Sequence, residues 1–189
     1  MTLYALLAAR WTADQTTETL ASFLDHTPLK PGDRVVVSGA CPEPPPGVAV
    51  LPTWADRQGT RLAELAAEAL AEGRDLVAII APASLPAGWT AVLDHEAAAV
   101  VVLADSRYGP GLPPARLRLP HAVMARLGPL DGGFEGGVAA LLDYRLKALR
   151  TGFPTRCLDA GPYPPPYLDA ADAERLRRLL VAFDFVLFV

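Results

Sequence analysis

Cysteine is almost missing from this chain: Cys41 and Cys157 are the only two in 189 residues. So few, so far apart, make neither a disulfide framework nor a metal-ligand spacing, which fits a reducing cytoplasm. Cys157 reads as a buried apolar residue rather than a nucleophile. Lysine is scarce too, at Lys30 and Lys147 alone, while Ala, Pro, Leu and Arg abound, as in a GC-rich bacterial genome. No apolar run approaches the roughly 20 residues of a membrane span. Leu3 to Ala9 is apolar but lacks the basic flank of an export signal, and Arg10 ends it. The net charge of −4 argues against nucleic acid as the main partner. A P-loop and a G-x-G-x-x-G fingerprint are both absent, which removes their way of cradling phosphate.

What is present is a large apolar fraction, 51% against 20% charged, enough for a sizeable core. The length predicts one domain over 1–189. Short continuous apolar runs predict buried strands at Leu3–Ala9, Arg34–Val37, Val48–Leu51, Asp75–Ile80 and Ala97–Ala104, with a further one at Thr155–Leu158. Thr12 to Gln15 is a capping-box pattern opening a helix that carries Thr16, Leu20, Phe23 and Leu24 inward. A second helix follows Gly59, with Leu62, Leu65, Ala66, Ala69 and Leu70 on one face and Gly73 at its end. A short helix is expected at Trp89–His95 and a last one from Asp169, bearing Leu176, Leu179, Leu180 and Phe183. The strand–helix–strand order predicts parallel pairing, with ligands at the carboxyl ends of the strands. Pro42–Gly47 and Gly161–Pro166 read as stiff connections. Asp105–Pro120, rich in Gly, Pro and Arg, reads as a long loop. Phe185–Val189 is an apolar tail that suits a strand or a dimer contact.

The most informative stretch runs from Gly128 to Gly152. A glycine-rich turn, Asp131-Gly132-Gly133-Phe134-Glu135-Gly136-Gly137, leads into an amphipathic helix with Val138, Leu141, Leu142, Leu146 and Leu149 on one expected face. Asp143 lies just off that stripe. With Leu146-Lys147-Ala148-Leu149-Arg150-Thr151-Gly152-Phe153, this segment resembles the acceptor side of family 2 glycosyltransferases. A second match is Leu85-Pro86-Ala87-Gly88-Trp89, which follows the fourth strand and resembles the family's segment after its DxD motif. The resemblance spans about Leu3 to Cys157. It implies an α/β fold of the GT-A (Rossmann-like) type, a mostly parallel mixed sheet flanked by helices. A donor-side half would occupy about 1–104, an acceptor-side half about 105–160, and a C-terminal helix and tail 161–189.

The resemblance implies sugar transfer from a nucleotide-sugar to a hydroxyl acceptor, with Asp143 as general base. It puts Ala8, Arg10 and Ser38 at the nucleotide, Ser38 standing where the family has Asp. Arg57 and Arg61 are candidates for the diphosphate. Trp89, Asp131, Gly133, Phe134 and Glu135 fall on the acceptor side. The register also sets Ala81 and Ala83 on the two aspartates of the DxD motif, and Leu142 on the acid preceding the base. A methyl group does not ligate a divalent ion, so no metal is expected there. Arg10, Arg57, Arg61 or Arg107 would replace its charge. His95 and His121 have no nucleophile partner and read as structural. Two other classes compete: a catalytically inactive descendant that binds a ligand or partner, and a nucleotidyltransferase. The latter wants a glycine-rich basic loop after the first strand, which Ala8-Ala9-Arg10-Trp11-Thr12 does not supply.

Overall fold

A computed structural model describes residues 1–52, 57–91, 93, 99–104, 116–159 and 170–181. In chain order they form β1 (Thr2–Ala8), α1 (Ala13–His26), β2 (Arg34–Gly39), β3 (Val48–Leu51), α2 (Gln58–Ala71), β4 (Asp75–Ile79), β5 (Val100–Ala104), β6 (Arg116–Leu119), α3 (His121–Leu127), α4 (Gly137–Arg150), β7 (Thr155–Asp159) and α5 (Ala170–Val181). The strands make one sheet in the order β3-β2-β1-β4-β6-β5-β7. All pairings are parallel except those of β6, which runs antiparallel to both β4 and β5. This is the mixed, mostly parallel sheet that the sequence predicts.

Alternation along the central strands feeds two cores. Leu3, Ala5 and Leu7 of β1 pack with Leu62, Leu65, Ala66 and Ala69 of α2 and with buried residues of α3 and α4. Tyr4, Leu6 and Ala8 face the other way, onto Leu20 and Phe23 of α1 and onto Trp89. The α1 capping box is present: Thr12 Oγ1 accepts from Gln15 N (3.2 Å), and Gln15 Oε1 accepts from Thr12 N (2.9 Å).

Two elements differ from expectation. Arg116–Leu119 is not loop but the central strand β6, buried throughout. Leu117 and Leu119 enter the α2–α4 core. Arg116 and Arg118 pair across the strands with Ile79 and Val77, which face α1. Arg118 is stabilised there by Asp75 (2.6 Å), which also accepts from His121 N (2.8 Å). Alternating arginines between Pro and Gly read as a solvated loop, but cross-strand pairing reverses that reading. In α4 the buried set is Val138, Ala139, Ala140, Leu141, Tyr144 and Ala148. Of the expected stripe, Val138 and Leu141 are buried and Leu142 packs against the core, while Leu146 is half-buried and Leu149 is 45% exposed. Small residues face inward because α4 lies close to the sheet: a Cβ at Gly137 would stand 3.3 Å from both Ile80 Cδ1 and Leu7 Cδ1.

The direction of α4 matters for the site. It starts beside Ile80 at the carboxyl edge of the sheet. It ends before Pro154, whose carbonyl accepts from Val100 N (2.9 Å) at the opposite edge. The long loop over 105–115, the connection at 161–166, the Asp169 cap, the tail at 185–189, His95 and Arg107 lie outside the described residues. No described helix is long and apolar enough to cross a membrane.

Candidate active site at the carboxyl edge of the sheet

Three segments converge where β1, β2 and β4 end. The first is the turn after β1. Trp11 donates its indole Nε1–H to the Ile80 carbonyl (2.9 Å) and so ties this turn to the end of β4. Ala8 is buried, and Arg10 is exposed beside it. Ser38 is buried at the end of β2. Gly39 follows, where a Cβ would stand 2.7 Å from the Ala8 carbonyl carbon, so only glycine lets the two strand ends close up. Beyond it a cavity of about 400 Å³ is lined by Gly39, Ala40, Cys41, Pro42, Val50, Leu51 and Pro52. Burial pushes the Cys41 thiol pKa up.

The second segment follows β4. Ala81 is buried and Ala83 half-buried, and the latter's N–H donates to Thr19 Oγ1 (3.1 Å). Leu85 N–H donates to Ser22 Oγ (2.8 Å). Trp89 lies in the α1-side core, 5% exposed, with its Nε1–H donating to Thr27 Oγ1 (3.1 Å) and its ring against Phe23. A divalent ion needs oxygen ligands. Ala81 and Ala83 present methyls, which supply no ligand. The residues at this position do not fit a metal ion.

The third is the glycine turn with the start of α2. Gly59 N–H donates to the Glu135 carbonyl (3.0 Å). A Cβ on Gly59 would lie 2.8 Å from the Phe134 carbonyl carbon and closer still to its oxygen. Thr60 Oγ1 donates to the Gly132 carbonyl (2.9 Å), and Gln58 Nε2 to the Leu7 carbonyl (2.9 Å). Gly136 caps α4 without a side chain, and that function comes from α5. The buried Asp172 carboxylate accepts from Glu135 N (3.1 Å) and Gly136 N (2.6 Å). Arg175 donates to the Gly133 carbonyl, pairs with Asp131 (2.7 Å) and lies over the Phe134 ring at 4.5 Å. Asp172 and Arg175 are missed by sequence reasoning, because nothing local links residue 172 to the turn. An acidic residue opening a helix reads as that helix's own N-terminal charge.

The expected site residues therefore divide. Ala8, Arg10, Ser38, Arg57, Ala81, Ala83 and Glu135 lie at or beside the carboxyl edge. Arg61 stands one turn into α2, in an ion pair with Glu64 (2.7 Å). Trp89 and Phe134 are packed in the two cores. Gly133 has its N–H on Asp131 Oδ1 (2.8 Å) and its carbonyl on Arg175. Asp143 is six residues beyond the start of α4, about 9 Å along the helix axis at roughly 1.5 Å per residue. It is half-buried. Desolvation, and then the charge of Asp131, pushes its pKa above the usual carboxylate range, against the pull of Lys147, Arg150 and Arg175. His121 stands at the opposite edge of the sheet, near Asp75.

Fourteen chains among solved structures match this one. A mannosyltransferase from Pyrobaculum calidifontis, PcManGT, solved in complex with GDP-Man and Mn2+, superposes with a TM-score of 0.59 at 13% identity. The match covers 94% of this chain and 60% of that one. S. aureus TarS superposes with a TM-score of 0.58 at 13% identity, covering 96% of this chain and 39% of its own. The fold is GT-A-like. The chain spans about 60% and 39% of the lengths of these two structures, and at 13% identity the likeness is one of fold. No protein-family model and no curated protein sequence matches the chain.

Proposed function

We propose that this protein is a divergent, bacterial, cytoplasmic relative of the family 2 glycosyltransferases. In this reading it binds a nucleotide-sugar at the carboxyl edge of the sheet and transfers the sugar to a hydroxyl acceptor. The observation that carries the reading is the convergence of the β1 turn, the segment after β4 and the glycine turn at one edge of a GT-A-like sheet. The nucleotide lies against Ala8, Arg10 and Ser38, and Arg57 and Arg61 serve the diphosphate. The family resemblance assigns the base to Asp143. Binding proceeds without a divalent metal, because residues 81 and 83 bring methyls where an ion needs oxygens. The positive charge that a leaving diphosphate needs then comes from arginine, whose fork suits phosphate oxygens.

The second reading, a non-catalytic descendant that binds a ligand or partner, rests on the neutral residues Ser38, Ala81, Ala83 and Leu142. Calorimetric titration with GDP and UDP, in EDTA and then with Mn²⁺, tests both readings. The glycosyltransferase reading expects metal-independent binding of a nucleoside diphosphate and slow release of diphosphate from the matching nucleotide-sugar. Binding without release supports the second reading. No heat with either nucleotide sinks the first.

A further inference from the structure

Among the described carboxylates held at the glycine turn, Asp172 is buried on two backbone amides, Asp131 is paired with Arg175, and Glu135 is exposed. We infer that Glu135, rather than Asp143, is the catalytic carboxylate that takes the acceptor proton; this rests on the glycosyltransferase reading above. Glu135 is fixed on both sides of its own backbone. Its N–H donates to the buried Asp172 carboxylate (3.1 Å), and its carbonyl accepts from Gly59 N (3.0 Å) at the start of α2. Two residues later, Gly137 abuts Ile80 and Leu7, the carboxyl ends of β4 and β1. The backbone carrying Glu135 is thus pinned between the starts of α2 and α4, while its side chain is exposed. Its neighbour Phe134 is buried and faces Arg175. A fixed backbone with a free carboxylate is the arrangement a positioned proton acceptor needs.

Asp143 has the opposite surroundings. It lies midway along α4, which runs away from this edge, and the charges it feels belong to Asp131, Lys147, Arg150 and Arg175. Asp131 and Arg175 belong to the outer part of the glycine turn and its clamp, and none of the four belongs to the β1 turn or to the segment after β4. In the step assigned to Glu135, the acceptor oxygen bonds to the anomeric carbon of the sugar. The bond from that carbon to the diphosphate oxygen breaks, and its electron pair leaves with the nucleoside diphosphate. The acceptor proton passes to the Glu135 carboxylate, so atoms and charge balance without an oxidant or reductant.

The test measures diphosphate release from GDP-mannose and UDP-glucose, with water as the acceptor hydroxyl, in the full chain and in Glu135→Gln and Asp143→Asn. GDP and UDP affinity and thermal stability are followed alongside. Glu135→Gln is expected to lower kcat at least about 100-fold, with nucleotide affinity and Tm unchanged, and at least about tenfold more than Asp143→Asn does. Equal losses in the two variants, or a loss confined to Asp143→Asn, overturn the assignment. Nucleotide binding without any release in the parent chain also overturns it, leaving only the binding reading. Absence of nucleotide binding removes the glycosyltransferase reading itself.

Discussion

The segment after β4 and the glycine turn meet the same edge of the sheet but are fastened by different chemistry. The 81–85 segment is tied to α1 by the neutral hydroxyls of Thr19 and Ser22. The glycine turn is fastened by ions and by backbone. Asp172 caps two of its amides, Arg175 grips a carbonyl and a ring, and Gly59 of α2 presses against its peptide plane. Charge-assisted bonds are roughly twice as strong as neutral ones. The turn is therefore the stiffer partner, and the difference says which side of the edge keeps a fixed geometry. On the 81–85 side Ala81 and Ala83 offer only methyls. On the turn side there are charges, two of them, Asp172 and Arg175, supplied by α5.

Substitutions can break this contrast, beginning with the most severe. Gly59→Ala drives a methyl into the Phe134 peptide and should cost about 3 kcal/mol, exceeding the ~1 kcal/mol of helix propensity gained. For that net loss a thermal melt should show Tm falling by about 4–8 °C. Next, Asp172→Ala strands two amides and should cost about 2 kcal/mol. Asp172→Asn, which keeps one acceptor oxygen, should recover part of that in a urea titration. If the alanine variant is as stable as the parent, the turn is not fastened by charge as described. On the neutral side, Ser22→Ala should cost only about 1 kcal/mol. A loss equal to that of Asp172→Ala would erase the distinction between the two segments.

The smallest effect has the opposite sign. Burial and Asp131 raise the folded-state pKa of Asp143, so its ionised form disfavours the fold wherever pH lies above that pKa. The burden is relieved as pH falls through it towards the unfolded value of about 3.9. Asp143→Asn should therefore raise Tm by about 1–2 °C at pH 7, with the gain shrinking as pH is lowered. A drop in Tm at pH 7 would show that Lys147, Arg150 and Arg175 stabilise the ionised form more than burial opposes it.

Much of the architecture was legible because it rests on local signals. The apolar runs of β1, β2 and β4, the Thr12–Gln15 capping box and the apolar stripe of α2 all lie where periodicity puts them. β6 was not legible, because Arg116 and Arg118 carry charges into a buried strand, and for Arg118 the compensation lies at Asp75 in another strand. The inward face of α4 was legible at Val138 and Leu141, but not towards its end, because leucines signal burial by size. Close approach to the sheet instead selects Gly137, Ala139, Ala140 and Ala148. At the site, the segments were legible and the depth was not. Spacing alone could not tell that the backbone of Glu135 is held at the starts of α2 and α4 while Asp143 lies about 9 Å down the helix.

The Asp172 contact has a consequence in time. The amide it caps belongs to a residue 36 positions earlier in the chain. At about 5–20 residues per second, a ribosome makes α4 and its turn seconds before their cap exists. β1, α1, β2, α2 and β4 can assemble while synthesis continues, but the turn that carries Glu135 settles only once α5 has emerged and docked.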